Sequence, residues 1–225
     1  MMLYDFHTHS FHSDGELSPL ELIQRARVNG YQVIGITDHL AIGSMERVIK
    51  EVSRDCELAN KYWDIIALPG VELTHLPSQA IDEVAREARR LGAQVVVVHG
   101  ESIAEPVAEG TNMAAVQSVY VDILAHPGLI TDEAATIAAR NGIFLELSGR
   151  KSHASTNRHV ALVAEKTGAR MLVDSDAHDE DDLLTAEKVE TILEKACVDN
   201  RRQEILVENP RLLLEKIQGR SVKLV

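Results

Sequence analysis

Seven short aliphatic runs recur along this 225-residue chain, and a helix-length segment follows each of them. They fall at 3–6, 32–37, 65–71, 93–98, 121–125, 143–147 and 171–173. Stretches such as VIGI, VVVV and DILA lack polar alternation, the pattern of strands covered on both faces. Strands alternating with helices through short connections build a parallel sheet. Seven units at roughly 32 residues each match the rhythm of a closed β/α barrel better than an open sheet. An open doubly wound sheet is the alternative, although neither of the Gly-rich phosphate loops GxGxxG and GxxxxGK[ST] occurs.

The intervening segments carry helix punctuation. Ser18 followed by Pro19 opens the first, which runs to about Gly30. Ser44 opens a second reaching Asn60, and Ser78 a third that stops at Gly92. A short helix is expected over 111–120, then one from Thr131 to Arg140 before Gly142 and another over 155–167 before Gly168. Beyond the last strand the pattern is helical over 180–197, and Asn209 with Pro210 opens a final helix to Gln218. No linker or low-complexity stretch interrupts residues 1–225, so one domain is expected, with C-terminal helices from about 180.

Aromatic residues make up only 4% of the chain, so the core must be aliphatic. The formal charge is -12 and no basic run occurs, which argues against a Lys/Arg groove for long nucleic acid. Cys56 and Cys197 have no CxxC partner and read as reduced thiols. The start MMLYDFHTHS lacks the basic and apolar regions of a signal peptide, and no apolar run has membrane-spanning length. A cytoplasmic protein without a membrane partner is expected. Nothing in the sequence bears on oligomeric state.

Ten histidines stand out, and their placement carries the functional reading. The first strand ends in DFHTH, the second in TDH, the third in GVE, the fourth in HG, the fifth in HP, and the seventh runs into DSDAH. Six of seven strands therefore deliver His, Glu or Asp at their C-terminal ends, which in a parallel barrel is one rim. A single strand-end histidine is usually a hydrogen-bonding group. The pairs His7/His9 and Asp176/His178 are more specific, because positions i and i+2 of a strand share a face. Glu72, after a buried strand and a glycine, can point into the same pocket and bridge two ions. His12 competes with Asp14 as a ligand from the first loop. His75 and His153 lie in rim loops and either orient substrate or are solvated, while His159 inside a helix reads as structural.

With these residues assembled, the chain resembles the PHP (polymerase and histidinol phosphatase) family. The matching segments are DFHTHSFHSDG at 5–15, ITDH at 36–39, PGVE at 69–72, VVHG at 97–100, AHPG at 125–128 and SDAH at 175–178. The resemblance implies a distorted (β/α)7 TIM-like barrel, a stand-alone metal-dependent phosphoesterase, and two or three divalent ions. Carried over residue by residue, His7, His9, Glu72 and Asp176 would bind the first ion. Glu72, His99 and His126 would bind the second, and Asp14, His39 and His178 the third. Asp14 is assigned because SDG is present, with His12 as the alternative. A His, Asp and Glu donor set without thiolates suits Zn, Mn or Fe.

Such a centre suits hydrolysis of a small phosphorylated substrate by a metal-bridging hydroxide, with Glu72 and Asp176 at the reacting atoms. Arg150, in the loop after the sixth strand, has the planar fork to clamp a phosphate or else pairs with a surface carboxylate. Arg158 is a weaker choice. Asp38 is expected to hydrogen-bond a ligand histidine, and the loop 101–112 is a lid or a plain surface loop. A phosphomonoesterase leads, with histidinol phosphate the family's candidate substrate. A nucleotide phosphodiesterase or exonuclease and a non-catalytic metal-binding barrel are the alternatives.

Overall fold

The computed structural model describes residues 2–221. Among the described residues seven parallel strands pair in chain order: β1 (Leu3–Asp5), β2 (Tyr31–Ile36), β3 (Ile66–Leu73), β4 (Val95–His99), β5 (Ile123–Ala125), β6 (Phe144–Ser148) and β7 (Met171–Asp174). Eight α-helices accompany them: α1 (Pro19–Val28), α2 (Ile42–Tyr62), α3 (Ile81–Arg90), α4 (Thr111–Gln117), α5 (Asp132–Asn141), α6 (Asn157–Thr167), α7 (Ala186–Ala196) and α8 (Asn209–Ser221). The result is the expected (β/α)7 TIM-like barrel, nearly closed.

The seam between β1 and β7 is sealed just past the strand ends. Asp176 N–H donates to the His7 carbonyl at 3.0 Å, and His9 N–H to the Ala177 carbonyl at 2.9 Å. Lower down, side chains take the place of ladder bonds. Asp174 accepts from Phe6 N–H at 2.7 Å, while Asp5 accepts from Ser175 N–H at 3.1 Å and from the Tyr31 hydroxyl at 3.2 Å. Burial pushes the Asp5 carboxyl up to about 6.

Period-two alternation splits the strand residues into two apolar layers. One set, including Ile34, Val96, Val98, Leu124 and Leu145, packs under the helices. The other set, including Phe6, Val33, Leu68, Val95, Val97, Ile123, Phe144 and Leu172, fills the barrel interior together with Leu213 and Ile217 of α8. Helix α8 thus plugs the N-terminal mouth and leaves the opposite rim for polar groups. Buried Asp122, just before β5, fastens this plug. It pairs with Arg89 and with Arg220 at 2.8 Å and Lys216 at 3.4 Å. Burial opposes its charge, but Arg89 and its neighbours hold the carboxyl below its ordinary value. Leu213→Ala removes a wholly buried side chain from this plug, so chemical denaturation should show a loss of about 2–5 kcal/mol. An unchanged midpoint would mean that α8 is not part of the core.

Several helix signals act as read. Ser18 accepts from Glu21 N–H at 3.2 Å with Pro19 in the first turn, and Thr131 accepts from Ala134 N–H at 3.2 Å. Other boundaries differ, two of them for a visible reason. Helix α2 begins at Ile42 rather than Ser44, whose hydroxyl instead donates to the Ala41 carbonyl at 3.4 Å. Helix α7 begins at Ala186 rather than at 180, because acidic side chains hold the preceding segment in local turns. Asp179 accepts from Asp182 N–H at 2.9 Å, and Asp182 from His178 N–H at 3.1 Å, bonds that compete with a helix. Helix α8 begins at Asn209 as expected; a π-helical turn over Glu204–Glu208 leads straight into it, and Asn209 donates to the Met171 carbonyl at 2.9 Å.

Candidate metal centre

The barrel interior continues upward into a polar layer without changing phase. Leu68 is followed two and four residues on by Gly70 and Glu72, Val95 by Val97 and His99, and Phe144 by Glu146. Each inward strand position that turns polar does so at the C-terminal end. Gly70 is required there, since a Cβ at that point would lie 2.8 Å from the Val95 carbonyl. Two residues leave the alternation: His7, which follows inward Phe6 just past the end of β1, and His126. His126 follows inward Ala125 and would face outward, but its φ of 26° breaks the strand geometry and turns it to the rim. Asp176 also has positive φ, at 54°. Both are sparsely populated conformations for residues with a Cβ, and such strain collects at functional sites.

Glu72 occupies the centre of the rim and is wholly buried. Its Oε2 lies 2.7 Å from His39 Nδ1, 3.3 Å from His7 Nε2 and 3.6 Å from His9 Nε2. Its Oε1 lies 3.2 Å from His99 Nδ1 and 3.6 Å from His126 Nε2. One carboxylate therefore presents an oxygen to each of two histidine sets. Asp176 spans the next gap, with Oδ1 3.1 Å from His9 Nε2 and Oδ2 3.8 Å from both His126 Nε2 and His153 Nε2. A third cluster forms at the edge, where half-exposed Asp14 lies 3.2 Å from His178 Nε2 and 3.6 Å from His39 Nε2.

Buried donors without hydrogen-bond partners concentrate here. They include both oxygens of Glu72, both ring nitrogens of His99, and the Nδ1 atoms of His9 and His126. Buried polar atoms are almost always paired, so this concentration fits residues that ligate divalent ions of N/O preference. Burial pulls His9 and His153 down to about 3, leaving both rings neutral near pH 7 with a lone pair to offer. Burial opposes charge on His39 as well, but the Glu72 carboxylate outweighs it and lifts His39 to about 9. Metal uptake should release that proton and weaken as pH falls.

All nine residues singled out in the sequence (His7, His9, Asp14, His39, Glu72, His99, His126, Asp176 and His178) meet at this rim. Asp14 rather than His12 faces the edge cluster; His12 lies 3.7 Å from Glu51. Asp38 departs from expectation. It binds no ligand histidine and instead accepts from Ser10 and Ser13, through both backbone and hydroxyl groups, holding the loop that carries Asp14. His75 is exposed and lies 3.2 Å from Glu105, and His159 meets the Ile130 carbonyl at 2.9 Å, a structural role. Arg150 reaches the rim, where Nη1 lies against His178 Nδ1, donates to the Asp176 carbonyl at 3.3 Å and approaches Asp182 at 3.7 Å. Arg158 is exposed. The loop 101–112 is tied at its ends by two bonds, Glu101 N–H to Asn112 Oδ1 at 2.9 Å and Asn112 N–H to Glu101 Oε1 at 3.0 Å.

Two residues gain weight only in three dimensions. Glu146 is buried and accepts from His7 Nδ1 at 2.6 Å, which fixes that ring and turns Nε2 to the centre. Its signal in the sequence was the inward phase set by Phe144. His153 is 4% exposed and not a solvated loop residue.

A (β/α)7 barrel whose C-terminal rim gathers histidines around shared carboxylates defines a class of metal-centred barrels. The sequence profile of the PHP domain matches residues 5–207, and the chain belongs to that family. It is 44% identical over 218 residues to an uncharacterized protein of Methanocaldococcus jannaschii, covering 96% of this chain and 100% of that protein. Among solved structures it superposes on a chain of archaeal ribonuclease P, determined with mature tRNA, at a TM-score of 0.71 and 17% identity. That match covers 96% of this chain and 92% of the other. Histidinol phosphate phosphatase from Lactococcus lactis, solved with Zn, L-histidinol and phosphate, gives 0.62 at 15% identity, covering 87% and 94%. At those identities the likeness is one of fold.

Proposed function

We propose that the protein is a metal-dependent phosphoesterase that hydrolyses a small phosphomonoester, with histidinol phosphate a candidate substrate. The observation that carries this reading is Glu72, whose two oxygens face two separate histidine sets from a wholly buried position. Divalent ions at such a centre supply positive charge for phosphoryl oxygens and lower the pKa of a coordinated water.

The chain's own residues do the rest. His7, His9, Glu72 and Asp176 form the first ligand set, Glu72, His99 and His126 the second, and Asp14, His39 and His178 the third. Glu146 holds His7 in one tautomer through its Nδ1. Arg150 is the cationic side chain lining the cavity over these residues. It orients a phosphoryl oxygen from the side of His178 and Asp176, where its fork can offer two donors. A long polyanion would need many more such contacts along the approach, which favours a small substrate.

The test is turnover of p-nitrophenyl phosphate and bis-p-nitrophenyl phosphate by the same preparation, before and after chelation and after adding back Zn or Mn. Monoester turnover that chelation abolishes and metal restores is expected, and Arg150→Ala should raise KM by about tenfold. Diester turnover alone would replace this reading with a phosphodiesterase. Metal-loaded protein inert toward both esters would overturn it.

A further inference from the structure

We infer that His153 is a tenth donor of the metal centre, joining His126 and Asp176 around the ion that Glu72, His99 and His126 would hold. This rests on the metal-dependent reading above, but not on the identity of the ester.

The histidines of this protein sort by how their ring nitrogens are used. In His7 and His178 the Nδ1 atom is held from behind, by Glu146 at 2.6 Å and the Asp176 carbonyl at 2.9 Å, whereas His39 Nδ1 meets both Thr74 and the central Glu72 at 2.7 Å. The Nε2 atoms of His7 and His178 then face carboxylates of the centre, at 3.3 Å from Glu72 and 3.2 Å from Asp14. His153 follows the same pattern. Its Nδ1 lies 2.6 Å from the Ser102 hydroxyl, and its Nε2 faces Asp176 Oδ2 at 3.8 Å. A fixed Nδ1–H is what leaves Nε2 as the lone-pair donor in metal-bound imidazoles. His12, His75 and His159 do not share the arrangement: the first two face Glu51 and Glu105 outside the clusters, and the third spends Nε2 on a carbonyl.

Position agrees with orientation. His126, His153 and Asp176 are all buried, and one donor atom from each lies within 4.8 Å of the others. The His126 and His153 rings lie side by side at 4.1 Å with planes 17° apart, so both rings present Nε2 to the same Asp176 oxygen. Counted without His153, the second ion has three side-chain donors, the number typical of an open catalytic Zn site. With His153 and the Asp176 oxygen it faces, the count reaches five side chains.

The experiment is calorimetric titration of metal-free protein with Zn2+, paired with elemental analysis after dialysis, for wild type, His153→Ala, His153→Gln and Ser102→Ala. Loss of one ion, or at least tenfold weaker binding at one step with the others unchanged, is expected for both His153 variants. Ser102→Ala should show a smaller weakening of that same step. Wild-type stoichiometry and affinity in both His153 variants would overturn the assignment, and an accompanying rise in KM would make His153 a substrate contact instead. Should neither variant fold, long-range 1H–15N spectra of wild-type protein titrated with Zn2+ decide: His153 Nε2 must shift with one of the equivalents, and an unmoved resonance refutes the inference. A wild type that binds metal at His153 yet hydrolyses no phosphoester would sink the proposed function alone. A wild type that binds no metal would sink both.

Discussion

Glu72→Gln is expected to lower kcat/KM for a phosphomonoester by on the order of 10³-fold, and to reduce bound metal by at least one ion. Partners outside the coordination shell of metal sites already cost about 10–100-fold when removed, and Glu72 is placed to serve two histidine sets directly. Gln keeps the side chain's length and one carbonyl oxygen. It replaces the other oxygen with an amide N–H2 that cannot donate a lone pair, and it removes the negative charge that offsets two cations. Whichever way the amide turns, one histidine set faces a donor where it had an acceptor. The measurement is steady-state kinetics with elemental analysis on the same sample. Unchanged turnover with full metal content would refute any mechanism centred on this carboxylate.

Chelation is expected to lower the thermal midpoint by about 10 °C, reversed by readdition of metal. Ligands that bind only the folded state at 100 to 1,000 times their Kd add about 2.7–4.1 kcal/mol. For a chain of this size each kcal/mol moves Tm by about 2–4 °C. The structural cause is the set of buried atoms on Glu72, His9, His99 and His126 that make no hydrogen bond in the structure and fit ion ligation. The shift should shrink at acid pH. Burial disfavours a charged His39 and Glu72 restores it, setting its value near 9, so every uptake at lower pH must displace protons from this cluster. Scanning calorimetry of loaded and chelated protein checks it. Equal midpoints would mean that the rim is stable as a purely hydrogen-bonded network.

The barrel and the nine rim residues were legible because both follow from period and phase. Apolar runs without alternation mark strands covered on both sides, and ligands at i and i+2, as in His7/His9 and Asp176/His178, share a face wherever the strand ends. His126 was found through its motif, since phase alone would have sent it outward; a φ of 26° is a tertiary decision. Glu146 was passed over because a strand-interior carboxylate looks like any other until His7 Nδ1 is seen 2.6 Å away. His153 depends on Ser102, 51 residues earlier, and no local pattern couples them. Asp38 differs for a related reason: a carboxylate next to His39 meets hydroxyl and backbone donors in the first loop that no local pattern announces.

The seam between β1 and β7 also sets a clock. Phe6 and Asp174 are 168 residues apart in sequence and are joined directly, and His7, His9 and Asp176 lie immediately beyond that joint. At roughly 5–20 residues per second of synthesis, His7 and His9 emerge about ten to thirty seconds before Asp176, which completes their cluster. Six strands can pair with their neighbours in order during that interval, each closing only a short loop. The final pairing spans nearly the whole chain and carries the largest loop-closure entropy. A newborn chain would therefore complete the two proposed sets that need Asp176 or His178 last, after the set on β3, β4 and β5, so that their filling would report a closed barrel.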